Sequence, residues 1–250
     1  SLASGETRIE NAAREPEITD LIRALRSMGA RIQGDGGSKL IVQGVSSLRG
    51  MRHSVVADRI EAATFLCAGL ITGGSVEVSG FGADGFQKSL LGDAAEAFVA
   101  AGARLEEGDR SVRAIPTGSI LPISLETRPF PGFPTDMQAQ FMALLTQAQG
   151  DSRISETIFE NRFMHVPELA RLGARIRVQG HEAIVNGPAS LTGATVMATD
   201  LRASASLIIA GLAARGETIV RRIYHLDRGY ESIEKKLSLL GADVVREEEK

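Results

Sequence analysis

Leu172-Gly173-Ala174-Arg175-Ile176 closes one element and opens another. The Gly fits the left-handed position that ends a helix, and the alternation after it suits a strand. The phrase recurs as Met28-Gly29-Ala30-Arg31-Ile32, Ala101-Gly102-Ala103-Arg104-Leu105 and Leu240-Gly241-Ala242-Asp243-Val244-Val245. The four glycines lie 73, 71 and 68 residues apart. A whole supersecondary unit therefore repeats, with a period longer than those of solenoids.

A second phrase recurs out of step with the first. It is an Asp-led helix of small and apolar residues, then a Gly turn, then a strand, and it covers Asp58 to Val78, Thr135 to Ile158 and Thr199 to Ile223. Each full unit thus reads helix, strand, helix, strand, strand. The chain opens differently: Ser1 to Ile9 matches the helix tail and strand of Ala213 to Ile219. With no initiator Met, the chain is expected to be cut from something longer, and to self-associate or dissolve poorly through a raw strand edge.

A length of 250 residues with 43% hydrophobic content can bury a sizeable core, built from aliphatic and Ala packing because aromatics make up 4% and Trp is absent. A net charge of −3 with interspersed signs gives no overall pull toward nucleic acid. A single Cys excludes an internal disulfide and fits a reducing cytosol. The apolar run Ala203 to Ala214 is too short for a bilayer, which needs about 20 residues. Five of the eight prolines fall between Pro116 and Pro134. They predict an extended connector over Pro129 to Pro134 that ends at a helix capped by Thr135. A second boundary is expected at Ser46 to Val56, after the strand Leu40-Ile41-Val42.

The repeated helices start at Asp58-Arg59, Thr135-Asp136 and Thr199-Asp200-Leu201-Arg202. Helix N-termini suit anions, and pseudo-symmetric packing would gather these ends on one face. Arginines stand at equivalent joints: Arg162 in Phe159 to His165, Arg228 in Tyr224 to Tyr230, and Arg202 in a helix start. They could bind phosphate or carboxylate bidentately. Taken singly, each is better read as solvated, or paired with Glu160, Asp200 or Asp227. Cys67 reads as an inert buried thiol. His165 and His225 lack companions at metal-ligand spacing, and no glycine-rich phosphate loop is present. The residues alone thus reach an anion-binding, pseudo-symmetric α/β protein.

Further motifs make the chain resemble the UDP-N-acetylglucosamine enolpyruvyl transferases of peptidoglycan synthesis. They are Glu10 to Ile18, Phe133-Pro134-Thr135-Asp136-Met137-Gln138-Ala139-Gln140-Phe141, Glu156 to Leu169, Val196 to Ser206, and Ile223 to Glu231. The resemblance runs nearly end to end, looser over 81–130 and the last few residues. It implies the inverse α/β enolpyruvyl-transferase fold, with residues 1–56 as the tail of one domain and 57–250 as most of the other. It also implies a cytoplasmic transferase of cell wall biogenesis, bearing on cell shape and division. That enzyme moves enolpyruvyl from phosphoenolpyruvate to the sugar 3-hydroxyl, with no cofactor, metal, membrane or nucleic acid involved.

By resemblance, Asp136 corresponds to the carboxylate that meets the sugar 3-hydroxyl and acts as its base. Ile158 corresponds to a backbone contact for the UDP-sugar, and Arg162, Arg202 and Arg228 to arginines around phosphoenolpyruvate. Asp58, Arg59, Glu15 and Glu17 match family positions assigned to packing or the cleft wall. The family's proton-donating cysteine has no counterpart here, since Cys67 does not align with it. The chain is accordingly expected to be inactive alone and to need the missing N-terminal part. The alternative is a non-catalytic nucleotide-sugar binding or partner-docking protein, although a pure binder would have no need of the base.

Overall fold

A computed structural model describes residues 1–81 and 88–247. The first unit comprises β1 (Glu6–Glu10), α1 (Pro16–Ser27), β2 (Arg31–Gln33) and β3 (Lys39–Gln43). The second comprises α2 (Arg59–Ile71), β4 (Val76–Ser79), α3 (Ala94–Ala100), β5 (Ala103–Glu107) and β6 (Ser111–Pro116). In the third, β7 (Ser124–Glu126) precedes α4 (Gln138–Leu145), β8 (Asp151–Ser155), α5 (Val166–Arg171), β9 (Arg175–Gln179) and β10 (Glu182–Asn186). The fourth holds β11 (Thr195–Met197), α6 (Leu201–Ala213), β12 (Ile219–Arg221) and α7 (Ile233–Leu239).

The repeat is real in three dimensions. The sheets β1-β3-β2, β4-β6-β5 and β8-β10-β9 share one order, with the last strand of each unit between the other two in antiparallel pairing. In each sheet a helix links the outer strands and a hairpin returns to the middle. Gly29, Gly102, Gly173 and Gly241 all take left-handed φ, from 93° to 103°. At the first of them Ala30 N–H reaches Leu25 O at 3.0 Å and Gly29 N–H reaches Arg26 O at 2.9 Å. This double closure satisfies carbonyls the helix leaves open.

The long helices α2 and α6, with α4, are interior elements. Nearly every residue of α2 is buried, and α4 is buried throughout, so neither needs a polar face. The three pack on one another and carry the main core. Close approach explains a small residue in α2: a Cβ on Gly69 would lie 2.5 Å from Val76 Cγ2. A separate apolar cluster, Ile22, Ala30, Ile32 and Leu40, serves the first unit. Residues 44–58 between the two carry no helix or strand. Arg59 to Glu17 at 3.1 Å binds the units across that joint, and His53 to Asp20 at 2.9 Å ties the joint itself to α1.

Aspartates cap the long helices. Asp58 accepts from the amides of Ile60 (2.8 Å) and Glu61 (3.0 Å), and Asp200 from those of Arg202 (2.8 Å) and Ala203 (2.9 Å). Asp58→Ala is expected to cost about 1 kcal/mol, within a range of about 0.5–2. Urea denaturation checks this, and an unchanged midpoint would contradict the cap.

Four sequence expectations change. Thr135 does not cap a helix: it begins a 3₁₀ turn (Thr135–Met137), and its hydroxyl turns to Glu156 at 2.9 Å. Pro129 to Gly132 is a tight turn, closed by Gly132 N–H to Pro129 O at 2.9 Å, not an extended link. Asp243-Val244-Val245 forms no strand: a strand lives by its ladder, and none of the described strands forms one with it. The strand read as reaching Ile158 ends at Ser155. Two strands went unread, β7 and β11. They pair in parallel with β8 and β12, so α4 and α6 are crossover helices.

Candidate functional site

Of the three helix starts expected to gather, two meet at Asp136, in the 3₁₀ turn leading into α4, while Arg59 of the third pairs with Glu17. Its carboxylate takes Arg162 Nη2 on one oxygen at 2.7 Å and Arg202 Nη2 on the other at 3.1 Å. Arg202 lies in the first turn of α6, and Arg162 in the loop between β8 and α5. Taken singly, these arginines were expected to be solvated or to pair with neighbouring acids. The fold instead brings both to one carboxylate 26 and 66 residues away. Asp136 stays 41% exposed while the arginine side chains are 22% and 15% exposed. The carboxylate thus opens outward from a mostly covered cationic seat.

Polar contacts below this seat tie α2, α4 and α6 together. Arg202 also interacts with the hydroxyl of buried Tyr230. That hydroxyl lies 2.9 Å from Thr64 Oγ1 of α2, and Gln140 of α4 donates to Thr64 at 3.2 Å and to Tyr230 at 3.4 Å. Burial works against the Arg202 charge, but Asp136 and Tyr230 together outweigh it and hold this guanidinium above the ordinary arginine value. Burial likewise raises the Tyr230 phenol, against the pull of Arg202. The seat is therefore fixed and permanently charged.

Arg162 also lies over the Phe159 ring, 5.0 Å from its centroid. Ile158 is partly exposed beside it, and its amide donates to Glu156 Oε1 at 2.9 Å. Arg228 ends a 3₁₀ turn (Ile223–Arg228) that packs on α6. It is exposed and is not drawn into the Asp136 pair. Three of the five sequence-selected residues therefore meet directly (Asp136, Arg162 and Arg202). Ile158 adjoins them through Glu156, and Arg228 stands apart.

Glu156, Tyr230 and Thr64 are participants that the sequence reading gave no role. Glu156 and Tyr230 fall inside the motif stretches Glu156 to Leu169 and Ile223 to Glu231, so a signal existed for them. Thr64 carried none. Cys67 is fully buried, and burial drives its thiol far up, so it is inert as read from the sequence. A cleft of about 490 Å³ adjoins Arg162, bordered by Phe159, Met164, Val178 and His181. A larger one of about 800 Å³, between the C-terminal ends of α2 and α6 and residues 240–245, touches none of the site residues.

His165 starts α5 behind Arg162 and is 2% exposed. Burial pulls its imidazole down to about 4; Asp200 opposes that shift and Arg162 adds to it. The unfolded chain would take up a proton near the ordinary histidine value of about 6.5. Above that pH the stabilisation is whole, and it is lost as pH falls toward about 4, by up to ~3 kcal/mol. His165→Gln is expected to flatten the fall in stability over that window in urea titrations. Parallel pH profiles for the two proteins would contradict it.

Comparison with known proteins follows the same lines. A family model described as EPSP synthase (3-phosphoshikimate 1-carboxyvinyltransferase) matches residues 1–237. A UDP-N-acetylglucosamine 1-carboxyvinyltransferase of Azorhizobium caulinodans is 57% identical over 247 residues, covering 98% of this chain and 56% of the relative. One of Brucella ovis is 56% identical over the same shares. The crystal structure of the enolpyruvyl transferase NikO from Streptomyces tendae superposes with a TM-score of 0.87 at 31% identity, over 98% of this chain and 57% of that one. An EPSP synthase from Acinetobacter baumannii, 19% identical over 99% of this chain and 59% of that one, shares the fold with a TM-score of 0.73. The chain spans about half the length of the curated relatives it matches. The inverse α/β enolpyruvyl-transferase fold expected from the sequence is thus borne out, as is the resemblance to the UDP-N-acetylglucosamine 1-carboxyvinyltransferases.

Proposed function

The chain belongs to the EPSP synthase family, and on that premise we propose that it serves enolpyruvyl transfer from phosphoenolpyruvate to the 3-hydroxyl of UDP-N-acetylglucosamine. The observation that carries this reading is the carboxylate of Asp136 held between Arg162 and Arg202. An addition–elimination needs a base for a weakly acidic hydroxyl and cations for a phosphate and a carboxylate. Arg162 and Arg202 supply two of the cations, and Arg228 offers a third.

In the resting arrangement the guanidiniums occupy Asp136. Each has further N–H donors, and each carboxylate oxygen has spare lone pairs. Phosphoenolpyruvate drawn to the arginines takes over their donors and releases Asp136 toward the sugar hydroxyl. The sugar oxygen then bonds carbon 2 of phosphoenolpyruvate while its methylene gains a proton and the hydroxyl proton passes to Asp136. Loss of a methyl proton restores the double bond as the bond to phosphate breaks. Cys67 cannot supply the methylene proton from its buried position. That donor is assigned to the part of the relatives' length outside this match. Ile158 meets the sugar through its backbone.

On this reading residues 1–56 and 57–250 belong to two inverse α/β domains that share the cleft. The protein acts in the cytoplasm, at the first committed step of peptidoglycan synthesis. The test is phosphate release from the two substrates by this chain alone and by this chain with the remaining portion of a relative supplied separately. Release only on complementation supports the proposal. Release by the chain alone would place a proton donor within it. Ligand binding with no release in either condition would favour the non-catalytic nucleotide-sugar binder.

A further inference from the structure

We propose that Glu156 is the positioning residue that sets Asp136 and Arg162 against each other. It is 1% exposed, and four donors from three segments converge on it. Oε1 accepts from Thr127 Oγ1 at 2.8 Å and from the amides of Ile158 and Phe159 at 2.9 and 3.0 Å. Oε2 accepts from Thr135 Oγ1 at 2.9 Å. None of the four partners is a cation, so this buried carboxylate depends wholly on neutral donors. Such a group is costly unless fully bonded, so its donors are held to one geometry.

Those donors are the immediate neighbours of the site. Thr135 precedes Asp136, while Ile158 and Phe159 open the loop that delivers Arg162. The ring is closed by the 2.7 Å contact of Arg162 with Asp136 and by Arg162 lying over Phe159. Glu156 is also fixed from behind: its amide donates to His181 O at 2.8 Å, and Thr127 Oγ1 accepts from Thr157 N–H at 2.8 Å. One buried side chain at the edge of the cleft therefore locks both the acid and a cation of the site. Displacements of about 1 Å can cost on the order of 10²-fold in rate.

The inference rests on the reading of Asp136 and Arg162 as site residues, and two arms keep the two readings separable. In the first, Glu156→Gln and Thr135→Val are assayed for phosphate release in the complemented protein. Both are expected to fall in kcat by about 10–100-fold. Thr135→Ser, which restores the hydroxyl, is expected to recover to within about twofold. In the second, the chain alone is followed by NMR. Glu156→Gln is expected to speed amide exchange of Ile158 and Phe159 about tenfold or more and to shift the Arg162 Nε–H signal. These effects follow from loss of a charge-assisted hydrogen bond. If Glu156→Gln does not fold, Thr135→Val against Thr135→Ser carries the Arg162 readout. Wild-type-like exchange and an unmoved Arg162 signal overturn the positioning role. Shifted spectra with no turnover even in the complemented wild type uphold the role and overturn the functional reading.

Discussion

Asp136→Asn is expected to lower enolpyruvyl transfer by the complemented protein by about 10²–10⁴-fold, the usual worth of a positioned base. Asn keeps the shape and one acceptor oxygen but cannot take a proton. Its amide nitrogen would face a guanidinium, donor against donor. Arg162 and Arg202, at 2.7 and 3.1 Å in the native pair, would then be freed for an anion. The KM for phosphoenolpyruvate is therefore expected to hold or fall while kcat collapses. Steady-state rates across both substrates check this split. A variant with near-native kcat would remove Asp136 from the chemistry.

Phe141→Ala is expected to be the most destabilising single change, costing about 3–5 kcal/mol. Phe141 is fully buried in α4, with its ring centroid 4.7 Å from Phe98 and 5.0 Å from Phe133 in an edge-on contact. Such aromatic pairs add about 0.5–1.5 kcal/mol beyond area. The loss is large against a typical total of about 5–15 kcal/mol. It also falls on the helix that carries Asp136 at its start and on the turn that Phe133 anchors. Urea denaturation measures it, and a cost under about 1 kcal/mol would mean the cluster collapses without penalty.

The parts of this fold that were legible in sequence are those with local causes. A left-handed Gly after a helix is a local demand, and all four recurrences met it. Asp58 and Asp200 cap by bonds to amides two and three residues on, and a cap reads from a short window. β7 and β11 were missed because three residues carry no period, and each exists through a parallel partner beyond a helix. Thr135 looked like a cap because its type and place allow it. A buried carboxylate 21 residues later competes for its hydroxyl and wins. Asp243 to Val245 has strand-like residues but pairs with none of the described strands.

The site divides the same way. Residue type and recurrence marked Asp136, Arg162 and Arg202, but pairing over 26 and 66 residues is a tertiary fact that spacing does not carry. Glu156 was visible only as part of a motif. Its role comes from burial and from the convergence of Thr127, Thr135, Ile158 and Phe159 on one side chain.

The central claim, that Asp136 with its arginines receives both substrates, is tested most directly by titrating the labelled chain with phosphoenolpyruvate and UDP-N-acetylglucosamine under NMR. Phosphoenolpyruvate is expected to move the guanidinium signals of Arg162 and Arg202 first, with Arg228 responding as the anion is enclosed. The sugar nucleotide should then move Asp136 and Ile158. Perturbations confined to the cleft between α2, α6 and residues 240–245, with Asp136 and its arginines silent, would contradict it.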